Sequence, residues 1–336
     1  MAHIRIQELA DIMGISRTTV WKALHNKSGI SDELRKKILK QAELEGIIPA
    51  AEVRTQDNSQ RRSYAVAVSR MESSVFWMNI INHIAIELSK HDADLVYTYL
   101  PASIEGDYRL PGTFDGVSGV IVLNVYDARL LKLLSDLPAP KVFLDSVPEL
   151  PAASLNGDLV LIEGRDAVCK ITGHLLKKGL TRLGFVGDPN YALTNHDRLM
   201  GFYDAHNMLG LSADPALSLT KSINPSLYNE EIRAFLSALP HLPDAFVCAS
   251  DFVAHLIMKQ LSASGVQLPE NFTVTGFDNS DEFENVARKI TTADVQTANI
   301  GRRLANKILF LCEYPDTPHE VSYITSEVLI RDHFKK

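Results

Sequence analysis

At 336 residues, the chain is longer than one compact core and fits a small module joined to a larger domain. A composition of 46% hydrophobic and 22% charged residues is that of an ordinary globular protein, which excludes fibrous and disordered classes. The first 62 residues hold eleven Lys/Arg against eight Asp/Glu, although the whole chain has a net charge of −7. A basic start on an acidic remainder favours a protein that presents one end to a polyanion.

Several classes of protein are disfavoured by what the sequence lacks. It contains no apolar run of about 20 residues and no secretory signal, so we expect a cytoplasmic protein without a membrane span. Cys169, Cys248 and Cys312 form no CxxC pair, which argues against disulfides and a zinc site. Glycine-rich nucleotide loops, a GxSxG elbow and an HExxH motif are missing. The sequence therefore predicts neither an enzyme nor a bound cofactor or metal.

Three short helices are predicted in the first 46 residues. Apolar residues recur with helical spacing from Ile6 to Met13, and Gly14 interrupts the pattern. Ser16 is placed to cap a second helix over Arg17–Leu24, and Ser31 is placed to cap a third. The second helix has a polar outer face, as in helix-turn-helix units that insert this helix into the major groove of DNA.

From Tyr64 onward, the pattern changes to alternating strands and helices, which predicts an α/β fold with parallel, doubly wound sheets in two tandem lobes. Ligands of such sheets bind beyond the carboxyl ends of the strands, so two facing lobes form a cleft. Strands are predicted at 64–69, 94–100, 119–123, 141–144, 182–186, 245–249 and 273–277, and helices at 78–90, 128–134, 165–178, 197–209, 229–238 and 252–264.

The predicted organisation has three parts. A helix-turn-helix headpiece covers residues 1–49, and a polar linker or hinge covers residues 50–63. A bilobed effector-binding and dimerisation domain covers residues 64–336. Its lobe 1 is predicted at about 64–160 plus 293–320, and its lobe 2 at about 161–290 plus 321–336.

Five segments, in this order and spacing, resemble the lactose-repressor (LacI/GalR) family of bacterial transcription regulators. They are residues 6–20 (IQELADIMGISRTTV), 141–145 (KVFLD), 174–187 (HLLKKGLTRLGFVG), 198–202 (RLMGF) and 274–278 (VTGFD). The resemblance covers nearly the whole chain. It implies a periplasmic-binding-protein-like bilobed domain, a double-stranded DNA operator as partner, and a small-molecule effector that acts allosterically, with a sugar as the first candidate.

The helix-turn-helix prediction assigns side chains to DNA. Arg17 and Lys22 suit guanine O6 and N7, and Thr18 suits a base edge or a thymine methyl. The side chains of Ser16, Thr19 and His25 suit phosphates. Trp21 either packs on the sugar or a thymine methyl, or packs against the first helix or the linker. The predicted DNA-binding residues are Ser16, Arg17, Thr18, Thr19, Trp21, Lys22, His25 and Arg54.

The linker departs from the family pattern. Ala50 stands where similar repressors have Asn, Val53 and Arg54 replace an Ala-Arg pair, and Gln56 replaces the Leu that wedges into the minor groove. The resemblance therefore does not carry a minor-groove hinge helix over to this chain. Arg54 remains able to reach phosphates.

The resemblance also places effector contacts at the strand-end loops. Two carboxylates and an arginine suit the vicinal hydroxyls of a sugar, and aromatic side chains suit the apolar face of its ring. Asp251 is assigned instead to a helix N-cap. The predicted effector-binding residues are Phe76, Trp77, Asp145, Arg198, Ser250 and Asp278.

The expected function is thus that of a transcription regulator, with a repressor as the first hypothesis. It is expected to act as a homodimer or tetramer on a pseudo-palindromic operator. Two alternatives stay open: a cytoplasmic sugar-binding protein, and a regulator that responds to a phosphorylated metabolite or a protein co-repressor. Effector identity and the sign of regulation do not follow from the sequence.

Overall fold

The computed structural model describes residues 2–24, 27, 29–45, 62–69, 74–224 and 227–331. The chain divides into two compact units, Met1–Arg62 and Ser63–Lys336, which we call the headpiece and the body. Two predicted DNA contacts, His25 and Arg54, lie outside the described residues. Residues 50–61 of the predicted linker also lie outside them.

Three helices surround a small apolar core in the described part of the headpiece: α1 (Ala2–Met13), α2 (Arg17–Leu24) and α3 (Asp32–Leu44). Leu9 and Ile38 are fully buried in this core. Arg35 of α3 donates through Nη1 to the carbonyl of Lys22 (3.3 Å) and through Nη2 to that of Lys27 (2.7 Å). These bonds tie α3 to the carboxyl end of α2, because the last carbonyls of a helix have no intrahelical partner.

Strands and helices alternate through most of the body. In chain order its described elements are β1 (Ser63–Val68), α4 (Val75–Ser89), β2 (Asp94–Tyr99), β3 (Gly119–Leu123), α5 (Ala128–Ser135), β4 (Lys141–Leu144), β5 (Asp158–Ile162), α6 (Arg165–Lys177), β6 (Leu183–Val186), α7 (Leu193–Met208), α8 (Tyr228–Ala238), β7 (Ala245–Cys248), α9 (Asp251–Ser264), β8 (Thr273–Thr275), β9 (Thr292–Asp294), α10 (Thr297–Glu313), β10 (Val321–Ile324) and β11 (Glu327–Leu329).

Two parallel sheets give the body its two lobes. Among the described residues, the first sheet has the strand order β10-β5-β4-β3-β1-β2 and the second has the order β6-β7-β8. Strands β3, β4 and β5 are buried along their whole length, as expected of central parallel strands covered by helices on both faces. The predicted α/β class with two parallel sheets is therefore confirmed.

The lobe boundaries differ from the prediction near the C-terminus. We define lobe 1 as residues 63–162 plus 297–324, and lobe 2 as residues 165–294 plus 327–331. The assignment of residues 321–324 to lobe 2 was wrong, because β10 pairs in parallel with β5 at the edge of the first sheet. The assignment of residues 293 and 294 to lobe 1 was also wrong, because β9 bonds to the loop after β8 in lobe 2, where the Asp278 amide donates to the carbonyl of Ala293 (2.9 Å). Edge strand β10 has alternately exposed residues and lacks the continuous apolar run of a central strand.

Helix α4 begins at Val75 and α7 at Leu193, three and four residues before the predicted starts at 78 and 197. The residues that precede them, Ser74 and Ala192, make no side-chain cap, so neither start carries the usual capping signal. As a result, Phe76 lies in the first turn of α4 and not ahead of it.

No helix in the described ranges is long and apolar enough to cross a bilayer.

Candidate functional site

The outer face of α2 is open to solvent in the headpiece. Arg17 and Thr18 are exposed, and Trp21 is 41% exposed. Lys22 is partly buried, and its Nζ lies 3.2 Å from the position that a Cβ on Gly29 would take. Arg17 is therefore better placed than Lys22 to reach a base edge, because the first residues of a recognition helix meet the bases.

Ser16 caps α2, as the sequence predicted. Its Oγ accepts a hydrogen bond from the Thr19 amide (3.1 Å), and the Ser16 and Thr19 hydroxyls lie 2.7 Å apart. Ser31 makes the equivalent cap on α3 by accepting from the Leu34 amide (3.3 Å). Both hydroxyls that the sequence assigned to phosphate contacts, those of Ser16 and Thr19, thus also order the start of the recognition helix.

Ser16→Ala is expected to lower the free energy of unfolding of the headpiece by about 1 kcal/mol, because the Thr19 amide loses the capping hydroxyl and keeps only the Ser16 carbonyl (2.9 Å). Ser31→Ala is the matched control, with a similar loss from a cap outside the recognition helix. Urea unfolding followed by Trp21 fluorescence in a Trp77→Phe background measures both. An unchanged midpoint for Ser16→Ala would contradict the capping role, and a larger loss of DNA affinity than for Ser31→Ala would add a phosphate contact.

In the body, a cavity of about 450 Å³ lies between the lobes, at the carboxyl ends of the strands. The structure brings all of the predicted effector-binding residues to this cavity: Phe76, Trp77, Asp145, Arg198, Ser250 and Asp278. It also places there side chains that the sequence analysis missed, among them Asn124, Tyr126, Tyr191, Thr194, Tyr228, Phe252, Glu282 and Phe283.

Aromatic rings from both lobes line the cavity. Phe76 and Trp77 of lobe 1 are T-shaped with centroids 5.2 Å apart, and Tyr126 of lobe 1 lies 4.3 Å from Tyr191 of lobe 2. Such rings bind the flat apolar faces of ligands. No sequence pattern marks these two tyrosines as site residues, because a lone aromatic in a loop has the same pattern as one that packs in a core.

Asp145 follows β4 with a positive φ of 72°, and its side chain is buried. One carboxylate oxygen accepts from the Ser146 amide (2.8 Å) and the Thr194 amide (3.2 Å), and the other accepts from the Thr194 hydroxyl (2.5 Å). Burial raises the pKa of Asp145, and the hydrogen bonds from Thr194 and Ser146 oppose that rise. Both oxygens are therefore already engaged by protein donors.

Arg198 of α7 is held rigidly beside the cavity. Its guanidinium carbon lies 3.7 Å from the centroid of the Phe277 ring, and its Nη1 donates to the carbonyl of Ala249 (2.6 Å). A Cβ on Gly164 would come within 2.7 Å of Arg198 Cγ, so this glycine leaves the space that the arginine stem occupies. Contacts within the protein thus fix the position of the guanidinium of Arg198.

Asp278 ends the loop after β8 in an unusual conformation. The φ of Asp278 is 115° and that of Asn279 is 53°. The amide of Asp278 donates to the carbonyl of Ala293 (2.9 Å). Burial raises the pKa of Asp278 to about 8, against the attraction of Arg198 and with a further rise from Asp251. At neutral pH the carboxyl is largely protonated, so it both donates and accepts hydrogen bonds.

The predicted N-cap of α9 needs correction. Ser250, not Asp251, is the N-cap of α9, and its Oγ accepts from the Val253 amide (3.3 Å). Asp251 is the first helical residue, and it accepts from the Ser280 amide (2.7 Å) and the Thr292 hydroxyl (2.8 Å). Burial raises the pKa of Asp251 to about 6. Asp251 therefore fixes the loop that carries Asp278, because its two carboxylate oxygens accept hydrogen bonds from Ser280 within the loop and from Thr292 at the start of β9.

Comparisons with known proteins agree with this geometry. A family model described as a periplasmic binding protein-like domain matches residues 172–332. The HTH-type transcriptional regulator CelR of Thermobifida fusca is 25% identical over 316 residues, which cover 90% of each chain. A solved CelR–cellobiose complex has a TM-score of 0.68 at 20% identity, with 97% of this chain and 98% of that chain covered. The Lac repressor bound to ONPG in the repressed state has a TM-score of 0.66 at 16% identity, with 96% and 97% covered.

A three-helix headpiece and a periplasmic-binding-protein-like body in one chain define the class of helix-turn-helix transcription regulators with a bilobed ligand-binding domain. CelR and the Lac repressor are regulators of the lactose-repressor (LacI/GalR) family, and this chain is similar to them over nearly its whole length and shares their fold. Its relatives are transcription regulators and not enzymes.

Proposed function

We propose that the chain is a sequence-specific DNA-binding repressor whose affinity for its operator is controlled by a sugar bound between the lobes. The observation that carries this proposal is the cavity. Six side chains that the sequence analysis assigns to effector binding converge on it, although they lie up to 202 positions apart in the chain, from Phe76 to Asp278. The exposed start of α2 supplies the DNA-reading half of the proposal.

The chemistry of the cavity supports a sugar as the effector. A hydroxyl-rich ligand needs both donors and acceptors, and Asp278 as a neutral acid offers both beside the fixed guanidinium of Arg198. Phe76 and Trp77 offer aromatic faces for the apolar side of a ring. The similarity in fold to a regulator solved with cellobiose adds support.

A phosphorylated effector fits the same cavity less well. Among the described residues that line it, Arg198 is the one lysine or arginine, whereas Asp145, Asp278 and Glu282 contribute carboxyl groups. A phosphate dianion would face more acidic than basic groups, which is unfavourable at low dielectric. The headpiece argues in turn against a sugar-binding protein without a role on DNA.

The proposed regulator acts in the cytoplasm, where its operator is, as a homodimer or tetramer. Two-fold symmetric proteins place two recognition helices on half-sites one helical turn apart, so we expect a pseudo-palindromic operator. Effector binding at the cavity would change the relative positions of the lobes, and allosteric coupling of this kind is worth about 1 to 3 kcal/mol.

A thermal-shift screen of the full chain against sugars, sugar phosphates, nucleobases and amino acids tests the effector class. We expect a sugar at about 100 times its Kd to stabilise the body by roughly 2.7 kcal/mol, since it binds only the folded state. Arg198→Met should remove that shift, and Asp281→Asn, an exposed residue paired with Arg288, should retain it. A response to sugar phosphates and not to sugars would contradict the proposed class.

A further inference from the structure

Two carboxylates, one from each lobe, accept hydrogen bonds from the opposite lobe at the cavity. Asp145 of lobe 1 accepts hydrogen bonds from the amide and hydroxyl of Thr194, in the first turn of α7 in lobe 2 (3.2 and 2.5 Å). Glu282 of lobe 2 accepts from the amide of Val75, the first residue of α4 in lobe 1 (3.3 Å). Each lobe thus offers a carboxylate to the start of a helix in the other lobe.

These two helix starts lack a cap from their own lobe. The residues before α4 and α7, Ser74 and Ala192, make no side-chain cap in the described structure. By contrast, α5 is capped by Asp127 of its own lobe, whose carboxylate accepts from the Leu130 amide (2.8 Å). First-turn amides have no intrahelical partner, and the helix dipole favours an anion beside them. Opening the cleft would therefore leave the first turns of α4 and α7 uncapped.

Further contacts join the lobes on the Asp145 side. The Leu193 amide of α7 donates to the carbonyl of Ser146 (2.8 Å), and the Tyr191 hydroxyl donates to Asn124 Oδ1 (3.5 Å). Asp145 is 6% exposed and Thr194 is 4% exposed, so their hydrogen bonds are shielded from water. Charge-assisted bonds in such surroundings are among the strong ones. The contact of Glu282 is exposed and therefore weaker.

We propose that Asp145 and Glu282 are reciprocal latches that hold the cleft closed before an effector binds. The regulatory meaning of the latches rests on the proposed function, because it assumes that lobe closure is what the effector controls. An effector can shift the lobes only through different affinities for the closed and open forms. A hydroxyl of the effector that displaces Thr194 from Asp145 would open one latch as it binds.

Hydrogen–deuterium exchange on the full chain, without effector or DNA, tests the latches. The reporter is the Leu193 amide, because its acceptor belongs to the other lobe and to neither latch. Asp145→Asn preserves the shape of the side chain at a positive φ and loses an acceptor for Thr194. We expect it to raise exchange at Leu193 on the order of tenfold, the effect of losing one hydrogen bond to a charged group. Glu282→Gln, on the far side of the cavity, should raise it a few-fold, about the effect of one exposed charge contact.

A second readout follows opening from the opposite wall. Trp77 lines the cavity beside the Glu282 latch, and Trp21→Phe leaves it as the one tryptophan in the chain. Thr194→Val removes the hydroxyl that donates to Asp145, whereas Thr194→Ser retains it and serves as the matched control. Quenching of Trp77 by acrylamide should increase for Thr194→Val and stay unchanged for Thr194→Ser.

The outcomes separate clearly. Faster exchange at Leu193 in Glu282→Gln, with unchanged exchange in Asp281→Asn, supports latches that act on closure as a whole. Unchanged quenching of Trp77 in Thr194→Val would overturn the proposal. Unchanged exchange at Leu193 in Glu282→Gln would also overturn it, because the two latches would then act independently. Neither result depends on an effector, so failure of the latches and failure of the sugar screen are distinguishable.

Discussion

Asp278→Asn is expected to stabilise the body at alkaline pH and to leave its stability nearly unchanged near pH 4. Burial raises the pKa of Asp278 from 3.8 to about 8, so the folded body keeps a proton that the unfolded chain releases. Between about pH 4 and pH 8 the folded state binds more protons than the unfolded state, and stability therefore falls as pH rises. Asparagine imitates the neutral acid and removes this loss.

A shift of that size corresponds to about 6 kcal/mol, and relaxation of the partly exposed carboxyl towards water reduces the expected gain to about 2 kcal/mol. Asparagine also suits the backbone, because it tolerates the φ of 115° at this position better than alanine does. Urea unfolding of the full chain, followed by Trp77 fluorescence in a Trp21→Phe background at about pH 5 and about pH 8.5, measures the gain.

Asp281→Asn is the matched control for this experiment. Arg288 beside Asp281 lowers the pKa of this exposed carboxyl, which is the opposite of the shift at Asp278. Asp281→Asn should therefore not stabilise the body at high pH. If Asp278→Asn and the unchanged chain lose stability in parallel between the two pH values, the Asp278 carboxyl is already ionised at neutral pH. The assignment of a neutral acid to the cavity would then be wrong.

The central strands could be predicted closely from the sequence because burial on both faces demands continuous apolar runs. The predicted bounds of β3 and β4 agree with the structure, and so do those of α2, which has a capping serine and a clear change from polar to apolar faces. No helix or strand is predicted after Phe277, although Ile300, Leu304 and Ile308 recur at helical spacing in α10. That helix had a readable signal, whereas edge strand β10 had almost none.

The position of the candidate site was predictable, and the partners of its side chains were not. The resemblance to the family, together with the rule that ligands bind beyond strand ends, selects Asp145 and Asp278, and the structure places both at the cavity. The hydrogen bond from Thr194 to the Asp145 carboxylate depends on how the two lobes pack against each other. No local sequence pattern predicts that packing. The cap by Ser250 likewise depends on where α9 begins, which sequence patterns fix only to within a few residues.

Arg17→Ala is expected to weaken binding to the operator by about 10- to 100-fold and binding to random duplex DNA by only a few-fold, since a bidentate contact to guanine discriminates by about 1 to 3 kcal/mol. Arg17 is exposed at the first position of α2, where recognition helices approach base edges. The operator is first obtained by selection from random duplexes with the full chain. We expect a pseudo-palindrome with a guanine in each half-site.

Arg17→Lys separates base reading from simple charge. Lysine keeps the positive charge and loses the planar fork that matches guanine O6 and N7, so binding to random DNA should recover while binding to the operator stays weak. Lys40→Ala, an exposed basic residue on α3, controls for the loss of one charge and should lower both affinities equally. Fluorescence anisotropy at two salt concentrations measures all of these affinities, because phosphate contacts change the salt dependence and base contacts do not. Full operator affinity in Arg17→Lys would make Arg17 a phosphate contact and move base recognition to other residues of α2.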